Sequence, residues 1–351
     1  RLGGHLGPIT CDRRGRKIRP LSIAPWAEEK IKTIPLLDVL RGDFFCMPFG
    51  GNETPFGQEK HPPHGETANA VWKLESIEEA AGRHMLHASL RTKVRKGRVD
   101  KRITLIDGHN AVYCRHVISG MTGPMNLGHH AMLKFPDEEG CGLISTSPFT
   151  RAQVFIQPTE LPANQGYSCL KPGAEFKTLS RVPTVFGTTA DLSRYPARRG
   201  YEDIVQLLTD PRCEVAWTAV SFPKYRYVWF SLRDPKVLSG TLMWHSNGGR
   251  YYAPWNGRHV NVLGLEDVTT YFHLGLAEAA RNNPHTANGY STALTLRLDR
   301  PTVVNYIMAV APTPPGFDRV KTIDISKGKA TLRSESGKKL VAPLDTGFLA
   351  E

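Results

Sequence analysis

Apolar and polar residues alternate along much of the chain. In the stretch 87–94, Ala88, Leu90 and Val94 fall on one side and Ser89, Arg91 and Lys93 on the other. That is the period of two of a half-buried strand. The runs 101–106 and 111–118 flank Asp107-Gly108-His109-Asn110, which predicts a hairpin with a four-residue loop. Further strands are expected at 152–156, 215–220, 227–232, 240–244, 293–298 and 303–310, punctuated by 32 glycines and 26 prolines. Helical signals are few. The best runs over 269–281, with Asn282-Asn283-Pro284 as its stop, and 76–81 reads as a single turn. Weak strands at 321–325 and 330–333 make the basic tail a terminal strand pair. With no repeat and no linker in view, the pattern predicts one domain over residues 1–351, all-β, a sandwich or barrel.

Composition narrows this picture. Of 351 residues, 40% are hydrophobic and 22% charged, enough for a large core and unlike a disordered chain. No apolar run approaches the roughly 20 residues that span a bilayer, so no membrane association is expected. The net charge is +12, and the densest basic run covers 91–102. That run alternates and turns at Lys96-Gly97, so it reads as a solvated β-ribbon, not a nucleic-acid groove. The six cysteines are widely spaced with no Cys-x-x-Cys pair, which predicts free thiols and a cytoplasmic setting. The sequence starts at Arg1 without Met, so a leader ahead of it stays open.

Three short segments carry candidate chemistry: His64-Gly65-Glu66, then Gly128-His129-His130-Ala131-Met132-Leu133, then Gly264-Leu265-Glu266. Opening a cyclic hemiacetal needs a base at the anomeric hydroxyl and an acid at the ring oxygen. A carboxylate and an imidazole with separated pKa values would serve. Glu266 is the expected base and His130 the acid, with His64 at the ring oxygen or a neighbouring hydroxyl.

Together with Leu40-Arg41-Gly42-Asp43-Phe44-Phe45-Cys46-Met47-Pro48-Phe49-Gly50, these segments resemble those of aldose 1-epimerases and hexose-phosphate mutarotases, in the same order. The chain therefore resembles the galactose mutarotase-like superfamily. Ala131 stands in place of a family proline, Met132-Leu133 in place of Tyr-Phe, and Asp43 in place of a glycine. The resemblance implies an antiparallel β-supersandwich and an isomerase that interconverts sugar anomers. Beside the acid–base residues, Arg41 and His129 are expected to hold the sugar. Trp244, Tyr252 and Trp255 would pack against it.

Plainer readings compete. Thirteen histidines are scattered along the chain, so any one of them is more often structural than catalytic. An extended 127–133 segment points His129 and His130 to opposite faces, and His130 is assigned to the cleft. Glu266 could cap a following helix. Tryptophans are usually core. His61, His64, Glu66, His129 and His130 could hold a metal, but their spacing fits no zinc signature, so no metal or cofactor is expected. The alternatives in function are a polysaccharide-processing or non-catalytic carbohydrate-binding protein, and a basic polyanion binder. The expected ligand is a monosaccharide or derivative. Arg41, Lys73, Arg250 and Arg258 near the site segments favour an acidic one.

Overall fold

A computed structural model describes residues 2–13, 15–29 and 31–351. Two large antiparallel sheets dominate it. One has nine strands, in the order Arg194–Tyr195, Gly142–Thr146, Ala216–Phe222, Tyr227–Arg233, Thr302–Pro312, Ala111–Ser119, Gly97–Ile106, Arg83–Thr92 and Lys73–Ala80. The other has seven. Its path runs Phe149–Val154, Glu202–Thr209, Gly240–Ser246, Val262–Thr269, Leu127–His129 and Phe45–Cys46, and Ala131–Lys134 also pairs with Val262–Thr269.

The alternation of side chains sorts the residues of the seven-stranded sheet into two layers. Leu263, Leu265, Met243, Val205, Leu207, Ala131 and Leu133 join Trp229, Val220, Tyr306 and Met308 in the core between the sheets. The intervening Ile204, Leu242, Trp244, Val268 and Met132 face the other way. There they pack with Trp26, Leu36, Leu40, Phe44 and Trp255, from segments that cross the outer face of the sheet. The nine-stranded sheet is covered on its far side by a three-stranded sheet, Val320–Ser326, Lys329–Ser334 and Lys339–Pro343. The tail thus holds three strands, not the expected pair.

Two helix expectations fail for local reasons. Residues 76–81 lie mostly in the strand Lys73–Ala80, which pairs with Arg83–Thr92. The turn between them places Ala81 at φ 51 and Gly82 at φ 71, the left-handed pair of a tight hairpin. Cross-strand pairing outweighs the helix propensity of Glu78-Glu79-Ala80. The run 269–281 is interrupted at Phe272 (φ 48) and Gly275 (φ 106), leaving a helix only over Leu276–Ala280. Asn283, read as a stop, instead caps the next helix, Pro284–Ala287, through a capping box with Thr286. The strand Glu202–Thr209 was not foreseen. It is buried on both faces but carries the buried polar residues Glu202, Asp203 and Gln206, so its sequence shows neither alternation nor a continuous apolar run.

All six cysteines are free thiols. The basic run forms a hairpin between Arg83–Thr92 and Gly97–Ile106. Within it Arg95 pairs with Glu59 at 2.8 Å and Arg98 with Asp100 at 2.7 Å. Among the described residues, no helix is long and apolar enough to cross a membrane.

Candidate active site

The outer face of the seven-stranded sheet holds a cleft with about 120 Å³ of space open to the centre of a water molecule. Its polar lining consists of His64, His130, Glu266, Arg250 and His273. Its apolar lining comes from Leu36, Leu37, Leu40 and Phe44 on one side and Ile204, Leu242, Trp244 and Trp255 on the other.

Each central side chain arrives there for a local reason. Glu266 lies in mid-strand, opposite Leu242, with Leu265 and Asp267 turned into the sandwich. It stands ten residues before the helix Leu276–Ala280, which it therefore does not cap. Gly264, two positions earlier on the same face, leaves room for the carboxylate: a Cβ there would stand 2.5 Å from Glu266 Oε1. His130 shares its face with Met132, and its ring stacks on Phe44 at 4.4 Å. His64 and Gly65 both have positive φ, 57 and 73, and a Cβ on Gly65 would meet the Met47 carbonyl oxygen at 1.9 Å. The His-Gly pair is thus a backbone requirement: only glycine lets the chain turn His64 inward at this point.

His130 Nε2 lies 3.3 Å from Glu266 Oε1, with both side chains almost fully buried. The His64 ring meets His130 edge-on, centroids 5.1 Å apart. Burial pushes the Glu266 carboxyl well above the usual carboxylate range, with the Arg250 charge opposing. Burial, and then neighbouring His64, pulls His130 well below its ordinary value. Burial also lowers His64 to about 3 and His273 to about 4. The cleft therefore favours a neutral acid beside a neutral imidazole. The buried Nδ1 atoms of His64, His130 and His273 have no hydrogen-bond partner among the described residues.

A supporting layer surrounds these groups. Trp244 and Trp255 stand perpendicular, at 90° and 5.9 Å between centroids. Trp244 Nε1 donates to Glu202 Oε2 at 2.9 Å, and Ser246 Oγ donates to Glu202 Oε1 at 2.9 Å. Burial raises the Glu202 carboxyl to about 7, with Arg250 opposing. Arg250 lies over both indoles, 4.5 Å from the Trp255 centroid, and its Nε donates to Glu160 Oε1 at 2.6 Å.

The structure brings His64, His130, Glu266, Trp244 and Trp255 together and leaves three expected site residues outside the cleft. His129 faces the sandwich interior, where Nδ1 lies 2.8 Å from Asp43 Oδ2 and the ring stacks on Tyr306 at 4.1 Å. Strand alternation sends it to the opposite side from His130. Arg41 turns back to the Val39 carbonyl at 3.2 Å and does not line the cleft. Tyr252 donates to Glu160 at 3.1 Å and so acts one contact behind Arg250. Of the residues weighed as a metal set, His61, Glu66 and His129 lie apart from His64 and His130. His61 faces Glu59 at 2.9 Å, and Glu66 accepts from the backbone of Lys93 and Val94 at 2.9 and 3.0 Å. Sequence reasoning missed His273, Glu160 and Glu202, and placed Arg250 only on a rim. No local motif marks them.

No protein-family model and no curated protein sequence matches the chain. Solved structures do. A candidate mutarotase from Salmonella typhimurium is similar over 89% of this chain and 85% of its own, at 13% identity and a TM-score of 0.55. A candidate aldose 1-epimerase from Escherichia coli K12 is similar over 79% and 86%, at 13% identity and a TM-score of 0.53. A galactose mutarotase related enzyme from Lactobacillus acidophilus is similar over 88% and 91%, at 14% identity and a TM-score of 0.51. At such identities the likeness concerns the fold, which agrees with the paired antiparallel sheets and short helices: the chain has the all-β supersandwich of the galactose mutarotase-like type.

Proposed function

We propose that the protein is an aldose 1-epimerase-like isomerase that interconverts the anomers of a monosaccharide. The observation that carries this reading is the 3.3 Å approach of His130 Nε2 to Glu266 Oε1 in the cleft, with His64 beside them. The two oxygens that exchange protons in a hemiacetal sit on one carbon. The acid and the base must therefore stand close together, as this pair does.

The directions of the pKa shifts set the order of events. Glu266 starts with the proton and His130 without it. In opening, Glu266 gives its proton to the ring oxygen and His130 takes the anomeric hydroxyl proton, so the C–O ring bond breaks as the carbonyl forms. After rotation the steps reverse on the other face. The carboxylate takes back the hydroxyl proton and the imidazolium gives its proton to the carbonyl oxygen. Glu266 thus works at the ring oxygen and His130 at the anomeric oxygen, the reverse of the placement expected from sequence, and the carboxylate is base and the imidazolium acid only in reclosure. His64 hydrogen-bonds the developing charge, and Trp244 and Trp255 supply faces for the ring carbons.

The sugar in this reading is uncharged. Arg250 is paired with Glu160 at 2.6 Å, Lys73 with Glu75 at 2.7 Å, and Arg258 with Glu29 at 2.8 Å. These three cations are committed to carboxylates of the chain itself, and Arg41, the fourth that suggested an acidic ligand, turns to the Val39 carbonyl. A small cleft bounded by Leu36, Leu37 and Leu40 suits one sugar unit better than a polysaccharide. NMR exchange spectroscopy across neutral, acidic and phosphorylated aldoses tests the proposal. It should show protein-dependent anomer exchange for at least one neutral aldose, and no exchange for any sugar would refute it.

A further inference from the structure

A second and larger cavity, about 770 Å³ by the same measure, lies away from the cleft. It is bounded by residues 4–11 and by the strands Lys73–Ala80, Arg83–Thr92 and Gly97–Ile106. Strand register builds its floor: Leu86 pairs with both Ile77 and Ile103, and Ala88 pairs with Lys101. The outer end is apolar and open, with Leu74 55%, Ile77 72%, Leu86 38% and Leu105 49% exposed. A contiguous apolar patch of this kind on a folded chain usually marks a binding surface.

Among the described residues, the inner end carries a single lysine or arginine. Lys101 is 3% exposed, donates from Nζ to the Gly4 carbonyl at 2.7 Å and sits 4.7 Å from the Trp72 ring centroid. No carboxylate among the described residues lies within ion-pair distance of it. Asp43, whose charge it feels, is taken by His129. Burial lowers this amine to about 8. A buried cation without an anion is costly, so the site is complementary to a negative head group.

We propose that this groove binds a free long-chain aliphatic carboxylate, with its head on Lys101 and its hydrocarbon chain along Ile103, Leu86, Ile77 and Leu105. The charge at one end and the aliphatic floor at the other select an amphiphile of one negative charge over a neutral or a polar ligand. The cavity volume falls within the range of small-molecule sites, about 300–1,000 Å³. From Lys101 to Leu105 the strand advances about 13 Å, the reach of an extended chain of roughly ten carbons.

Calorimetric titration of the full chain with laurate below its micelle concentration, with dodecanol and with phosphatidylcholine vesicles carrying anionic lipid provides the test. Saturable one-to-one binding of laurate is expected, at least about tenfold tighter than dodecanol because the alcohol lacks the charge-assisted contact. Lys101→Met should bring laurate to the level of dodecanol while leaving dodecanol unchanged. The wild-type comparison of the two ligands keeps the test independent of how the variant folds. Equal affinities for the two, binding to vesicles only, or no binding would overturn the proposal. So would a dimer dissociated by Ile77→Asp, which would assign the face to a second copy of the chain.

Discussion

Gly264 and Glu266 share one face of one strand, and a Cβ on Gly264 would stand 2.5 Å from Glu266 Oε1 and 3.1 Å from the Trp244 Cβ. The carboxylate folds back over a space that only glycine leaves. The Gly-Leu-Glu sequence is therefore a steric unit, and the position of the proposed acid depends on a missing methyl group.

Gly264→Ala should shift the carboxylate away from His130 and lower kcat by about tenfold or more, as misplacement of a reacting group does. Overpacking costs about 1–3 kcal/mol, so the fold should persist with a lower Tm. Kinetics and thermal melting of the same variant separate the two effects. Unchanged kcat would mean that the carboxylate position is not set by this contact.

The fold was legible where a turn or a dense apolar and aromatic run marks a strand. The hairpin around Asp107-Gly108 is marked by its turn residues, and 227–232 and 303–310 by dense apolar, β-branched and aromatic runs, and the structure has Ala111–Ser119, Tyr227–Arg233 and Thr302–Pro312 there. A period of two separates His129 from His130. What remained hidden depends on long-range contacts. Glu160 meets Arg250 across 90 positions and Glu202 meets Trp244 across 42, so neither pairing leaves a local trace. Arg41 was placed by its motif, but its side chain turns to its own backbone at Val39.

Stability should fall in acid. Burial lowers His64 and His259 from 6.5 to about 3 and His273 from 6.5 to about 4. Folded values below the unfolded ones mean that these groups' contributions are fully present above about pH 6.5. They are lost as pH falls toward 3–4, at about 1.4 kcal/mol per unit of displacement. Glu266, raised by burial, acts in the opposite sense: its contribution is present below its ordinary value of 4.5 and is lost as pH rises through its folded value. Glu202, raised by burial to about 7, acts in the same sense as Glu266, and the several histidines outweigh these two carboxyls in acid. Thermal melts from pH 7.5 to 4 should show a falling Tm, and His259→Gln should flatten the slope. A pH-independent Tm would contradict the burial of neutral imidazoles.

Charge at the mouth of the cleft should be adjustable through Glu160. This carboxylate accepts from Arg250 at 2.6 Å and from Tyr252 at 3.1 Å. Glu160→Gln keeps the shape and releases the guanidinium charge. Affinity for a hexuronate should rise by about tenfold, near the low end of the roughly 1.5–7 kcal/mol coupling of close charge pairs. Neutral hexoses should be little affected, and the gain should shrink with salt. Equal changes for neutral and acidic sugars would show that Arg250 does not face the ligand.

Anomer exchange by wild type and Glu266→Gln is the most direct test of the central claim. It is measured by NMR exchange spectroscopy on a sugar that the wild type turns over, with binding followed by calorimetry on the same samples. The amide preserves shape but can neither give up nor regain the proton. Exchange should fall by about a hundredfold or more, the usual scale for losing an acid–base group, while the sugar still binds. Exchange at the wild-type rate in Glu266→Gln would contradict the account, because the proton relay between Glu266 and His130 would then have no part in the reaction.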